Sequence, residues 1–117
     1  MRAMTPSAEW SCAASDVAPN TTAKLRLVRD GRVVDAFVVH AHDGYHAYVN
    51  RCPHVGTPLD LFPNEFLSED GRELVCSTHG ATFDPATGRC LGGPCAGGRL
   101  TALTVQRDGD RVVVRLP

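Results

Sequence analysis

Cys52-Pro53-His54 and Cys76-Ser77-Thr78-His79-Gly80 are the two stretches around which the chain is organised, each offering one thiol and one imidazole within a few residues. Twenty-one residues separate His54 from Cys76. That is enough for one strand to leave the first loop and another to return to the second, so the two loops can face each other across one site. Thiolate and neutral imidazole are donors for iron or zinc, and neither loop has the carboxylates that calcium or magnesium requires. A soft-metal site is the first expectation. Zinc would accept these four ligands, but zinc modules favour paired like ligands at C-x2-4-C and H-x3-5-H spacing. In the mixed pairs found here, a short cysteine arm and a longer histidine arm leave the backbone together. One can stop at a near metal while the other reaches past it, which suits two irons.

The surrounding sequence reads as strands and tight turns. Lys24 to Val28 alternates, Asp30-Gly31 is a hairpin turn signal, and Arg32 to Val39 continues with Val33, Val34, Phe37, Val38 and Val39. A second turn at Asp43-Gly44 leads into Tyr45 to Val49, a strand that delivers the chain to the first loop. Leu74-Val75 enters the second loop after a turn at Ser68 to Gly71, and Thr82-Phe83 leaves it toward the turn Asp84 to Gly88. Leu100 to Gln106, Asp108-Gly109 and Arg111 to Leu116 form a closing hairpin. Asn64 to Leu67 has the pattern of a brief helical turn, and no window sustains helical spacing over three turns. The fold class is therefore mainly β.

The motifs C-x-H at Cys52 and His54 and C-x-x-H at Cys76 and His79, followed by Gly80, resemble those of Rieske 2Fe-2S proteins. The likeness extends through Val49-Asn50-Arg51, Gly56-Thr57-Pro58-Leu59 and Ala81-Thr82-Phe83-Asp84, from about Asp43 to Leu100, and is strongest toward small soluble Rieske ferredoxins and the similar small subunits of some reductases. The resemblance implies one 2Fe-2S cluster, with Cys52 and Cys76 on one iron and His54 and His79 on the other. It also implies an antiparallel β base layer carrying a smaller cluster-binding subdomain, here about 51–94 within one domain spanning 1–117. Leu91 to Gly98 resembles the family's third loop, in which Pro94 would shield the cluster. The respiratory members carry an extra cysteine in each ligand loop; here those positions are Thr57 and Thr78, so that disulfide cannot form. High-potential members have hydroxyls where this chain has Ala81 and Phe83, which implies a low, ferredoxin-like potential.

The chain has 117 residues, 43% of them hydrophobic, and so suffices for one core. A net charge of −1 gives no indication of nucleic acid as a partner. Met1 to Pro19 has no apolar run long enough for a signal segment or membrane span, so no membrane partner and a cytoplasmic location are expected. In that compartment five cysteines read as ligands and free thiols. Cys12 is expected to be a small buried or surface residue. Cys90 and Cys95 are expected to be free, with a disulfide between them as the alternative. His40, His42 and His46 flank the Asp43-Gly44 turn and are expected to be solvated rather than a second metal site.

A four-ligand cluster has no open coordination position, so the expected role is one-electron transfer and not catalysis. The resemblance implies a flavoprotein reductase as donor and an oxygenase or other redox enzyme as acceptor, docking near His54 and His79. Two other classes remain open: a Rieske-like small subunit of a larger reductase such as nitrite reductase, and a structural zinc-binding interaction module.

Overall fold

The structure, a computed structural model, describes residues 8–41, 44–51, 66–68, 72–76, 80–93 and 98–116. Three antiparallel three-stranded sheets account for them. β2 (Thr22–Arg29), β3 (Arg32–Ala41) and β4 (Gly44–Val49) form a meander. Its first hairpin is closed by Asp30 and Gly31, both at positive φ (52° and 76°), with Arg29 opposite Arg32. Positive φ at both central positions is the primed turn that matches strand twist, as the Asp-Gly pair predicts.

A second sheet has the order β1-β9-β8, from β1 (Glu9–Ala13), β8 (Thr104–Asp108) and β9 (Arg111–Arg115). The sequence reading missed β1, because its pattern is too short and too polar to stand out. Its partner β9 lies at the other end of the chain, with Trp10 opposite Val114 and Cys12 opposite Val112. A short 3₁₀ turn follows (Ala14–Asp16), in which the Asp16 carboxylate accepts the Ala13 N–H. The third sheet is small: β5 (Leu74–Val75), β6 (Thr82–Phe83) and β7 (Cys90–Gly92).

The meander is the middle layer, and its sequence shows why. Ala36-Phe37-Val38-Val39 is a continuous apolar run, and all four residues are buried. Because successive strand residues point to opposite faces, Ala36 and Val38 join Leu25, Leu27, Ala47, Val112 and Val114 in a core against the β1-β9-β8 sheet. Phe37 and Val39 instead join Tyr48, Phe66, Leu74, Cys76, Ala81, Phe83 and Leu100 in a second core under the small sheet. Phe37 stacks on Phe66 with ring centroids 4.2 Å apart. A strand with both faces covered reads as unbroken apolar sequence, which the alternation rule alone does not anticipate.

Three expectations are corrected. Leu67 forms a β-bridge with Leu74, so the described end of the segment 64–67 is extended and not helical; Asn64 and Glu65 lie outside the described residues. His40 is not a solvated turn residue. It lies half-buried in β3, its Nδ1 is 2.8 Å from the Val17 carbonyl oxygen, and its ring stacks on Tyr45 at 4.1 Å. Cys90 is disulfide-bonded and not free, with its partner outside the described residues. Its N–H donates to the Gly98 carbonyl at 3.0 Å, so the chain returns beside it; the disulfide runs against the expectation drawn from a reducing compartment. His42 also lies outside the described residues.

Candidate metal centre

Cys76 is one of the four expected ligands and belongs to the described residues; Cys52, His54 and His79 lie outside them, as does Pro94. The Cys76 side chain is fully buried, and its thiol is not in a disulfide. Its position follows from the strands on either side. β5 ends at Val75, whose N–H donates to the Phe66 carbonyl at 2.7 Å. The Cys76 N–H then donates to the Ala81 carbonyl, and the Gly80 N–H donates back to the Cys76 carbonyl, both at 2.8 Å. The second loop is thus closed at its neck by two backbone hydrogen bonds. Gly80 makes the return with φ +74°, a left-handed conformation that favours glycine.

The first loop leaves β4 at a comparably fixed point. Asn50 is buried and its N–H donates to the Asp35 carbonyl at 2.8 Å, after which the exposed Arg51 begins the loop. Tyr48 of β4 and Cys76 belong to one core, so the two loops emerge from strands that share a foundation.

The third loop begins where β7 ends, with Gly92 opposite Thr82. Gly93 has φ +88°, and a Cβ there would lie 2.8 Å from the Ala81 Cα and 3.3 Å from its nitrogen. The backbone entering the third loop therefore lies directly on the neck of the second. Tyr48 fixes the far side of the small sheet: its hydroxyl donates to the Pro85 carbonyl at 2.7 Å, and a Cβ at Gly88 would lie 2.8 Å from its ring. The glycine-rich segment Leu91 to Gly98 reads as a loop able to approach other backbone closely, and Gly93 does so. Tyr48 and Gly88 are given no role by the sequence; the available signal was a second tyrosine in β4 and a glycine ending a turn.

Cys12 is placed in the β1-β9-β8 sheet, apart from the small sheet that bears the second loop. Burial raises the pKa of its thiol above the ordinary value of 9.0; Asp16 adds to the rise and Arg111 opposes it.

Among known proteins, the family model of the Rieske [2Fe-2S] domain matches residues 8–114. The chain belongs to the Rieske [2Fe-2S] family. No curated protein matches it by sequence. This Rieske domain resembles the ferredoxin of carbazole 1,9a-dioxygenase from Nocardioides aromaticivorans IC177, at 24% identity and a TM-score of 0.68, covering 91% of this chain and 94% of that one. It is also similar to a chain in the complex of reduced oxygenase and oxidized ferredoxin in carbazole 1,9a-dioxygenase, at 28% identity and a TM-score of 0.71, covering 92% and 93%. A third likeness, at 17% identity and a TM-score of 0.75, is to the terminal oxygenase of carbazole 1,9a-dioxygenase from Novosphingobium sp. KA1; it covers 92% of this chain but 29% of that one.

The mainly antiparallel architecture agrees with the Rieske fold. The family's cofactor is a 2Fe-2S cluster in which histidines replace two cysteines on one iron. The described part of the site fits that group. A buried, unoxidised thiol is held at the neck of a loop closed by backbone hydrogen bonds, with a third segment packed against it.

Proposed function

We propose that this Rieske protein is a one-electron carrier, a ferredoxin that takes electrons from a flavoprotein reductase and delivers them to an oxygenase. The family match over 8–114 carries the reading, together with a likeness that covers nearly the whole of small ferredoxin-sized chains. In this proposal Cys52 and Cys76 hold one iron and His54 and His79 the other, in a cluster-binding unit of about 51–94. When bound, the cluster supplies one-electron chemistry with no open coordination position for a substrate.

The chain's own residues then do three things. Cys76 is fixed by the hydrogen bonds of its loop neck, which hold the backbone of this ligand in place. Phe37, Phe66, Phe83 and Leu100 exclude water from the inner side of Cys76. Gly93 seats the start of the third loop on Ala81, at the neck of the second. A small carrier of this kind works in the cytoplasm beside its reductase and oxygenase; among the described residues no helix is long and apolar enough to cross a membrane.

The test is reduction of the purified holoprotein by a flavoprotein reductase, followed by single-turnover electron delivery to Rieske oxygenases. Transfer with cluster reoxidation is the expected result. A protein that binds zinc in place of iron and sulfide would overturn the reading.

A further inference from the structure

Arg89 and Arg99 form an isolated antiparallel bridge, flanked by the hydrogen bonds from Cys90 N–H to Gly98 and from Leu100 N–H to Gly88. Those two bonds bracket the pair without joining it. It is therefore a non-hydrogen-bonded pair, the geometry in which opposed side chains come closest and share one face. Both arginines are exposed. Two like charges in this position weaken a sheet when left alone. Elsewhere the sheets match arginine with a carboxylate across the strands: Arg26 with Asp35 at 3.1 Å, and Arg115 with Glu9 at 2.6 Å. Arg29 and Arg32 also oppose each other, closing the hairpin around Asp30.

Neither Arg89 nor Arg99 has an ion-pair partner among the described residues. The nearest acid in sequence, Asp84, turns its carboxylate inward to accept the Ala86 N–H at 2.8 Å. A polar cleft of about 440 Å³ opens here, lined among the described residues by Arg89, Cys90, Gly98 and Arg99. Its place in the fold gives it meaning. β7 runs from Cys90 to Gly92 toward the neck of the second ligand loop, and Gly93 lies against Ala81. Arg89 is four residues before Gly93, which at strand rise is about 13 Å from that neck. The cleft thus lies beside the small sheet that bears the second ligand loop, back from its neck. Arg51, also exposed, begins the first ligand loop.

We propose that the Arg89–Arg99 cleft is an electrostatic docking site for a carboxylate-bearing rim of the electron-accepting oxygenase. This rests on the carrier function proposed above. The charge complementarity is specific: two adjacent guanidinium groups with no carboxylate partner among the described residues present forked donors to carboxylates. Rim charges act mainly on the encounter rate and on its salt dependence, and leave the electron-transfer step itself unchanged.

The test uses the reduced holoprotein and two forms of one acceptor, succinylated cytochrome c, whose lysines have been converted to carboxylates, and native, lysine-rich cytochrome c. In each reaction one electron leaves the cluster and one ferric haem becomes ferrous, with no bond made or broken. Wild type is expected to reduce the succinylated form faster, with a rate that falls steeply as potassium chloride rises. The double variant Arg89→Glu/Arg99→Glu is expected to lose that rate by about 10-fold and to react faster with the native form. Arg89→Lys/Arg99→Lys is expected to retain most of it. Arg107→Glu, near Tyr45 at the opposite end of β4, serves as the distant control and should change neither rate by more than about 2-fold. The electron paramagnetic resonance signal of the reduced cluster checks that each variant is intact.

Equal rates for wild type and the glutamate double variant, or an equal effect from Arg107→Glu, would overturn the docking site while leaving the carrier function standing. Selective inhibition by phosphate over chloride at equal ionic strength would also overturn it, by showing a small-anion site. Failure of the intact reduced protein to transfer electrons to either cytochrome would overturn the carrier function and the docking site together.

Discussion

Gly93→Ala should loosen the third loop from the second, and the structure sets the size of the effect. At φ +88° an L side chain is strained, at a cost of about 1–2 kcal/mol. The added methyl would also lie 2.8 Å from the Ala81 Cα, a backbone atom held by the Cys76–Ala81 hydrogen bond, and forcing extra volume into so fixed a place costs about 1–3 kcal/mol. The reduced freedom of the unfolded chain returns about 0.4–1 kcal/mol. The net loss is about 3 kcal/mol, or about 12 °C in Tm for a domain of this size. Gly92→Ala is the internal control, because its Cβ would meet the Thr82 Oγ1 at 3.5 Å, an ordinary contact, without positive φ. The assay is thermal unfolding of both holoproteins, read by circular dichroism and by loss of cluster absorbance. Gly93→Ala should also release iron faster below its Tm. Equal Tm values for the two variants would refute the close approach.

Cys76→Ala should abolish iron and sulfide binding, whereas Cys12→Ser and Cys90→Ser should retain both, as metal analysis of the purified variants will show. Tyr48→Phe removes the hydrogen bond to the Pro85 carbonyl and should cost about 1 kcal/mol, lowering Tm by about 4 °C. Ala81→Ser should raise the reduction potential, because a hydroxyl at this buried neck position adds a hydrogen-bond donor toward the cluster; protein-film voltammetry measures the shift, and an unchanged midpoint would count against it. Cys12 alkylation by iodoacetamide should reach half its maximal rate above pH 9.0, because a raised thiol pKa leaves less thiolate at any lower pH; mass spectrometry follows the modification, and a lower midpoint would contradict the burial argument.

The sequence reveals a structural feature where one local rule dominates. Asp30-Gly31 is legible because only a primed turn needs both residues at positive φ, and the β2–β3 hairpin follows from it. Thr82-Phe83 is legible because it must leave a loop whose chemistry is already recognised. β1 is not legible: a short strand with the pattern Glu9-Trp10-Ser11-Cys12-Ala13 becomes a strand only through β9, at the far end of the chain. β7 is hidden for a different reason: its neighbouring glycines read as loop, yet Gly92 pairs with Thr82 in the sheet, and Gly93, just beyond the strand, is needed where the backbone lies against Ala81. The environment of His40 likewise depends on Val17 and Tyr45, which no local pattern brings to it. At the candidate site, the motifs name four ligands, and the structure describes the anchoring of Cys76.

Electron paramagnetic resonance of the dithionite-reduced protein, with nitrogen couplings resolved by pulsed methods and compared after ¹⁵N labelling of histidine, tests the Rieske cluster most directly. The expected result is an anisotropic signal from a reduced 2Fe-2S cluster, with couplings from two histidine nitrogens that change on labelling, and with the signal lost or severely weakened in His54→Ala and His79→Ala. A colourless protein with no such signal, or a cluster signal without histidine couplings, would contradict it.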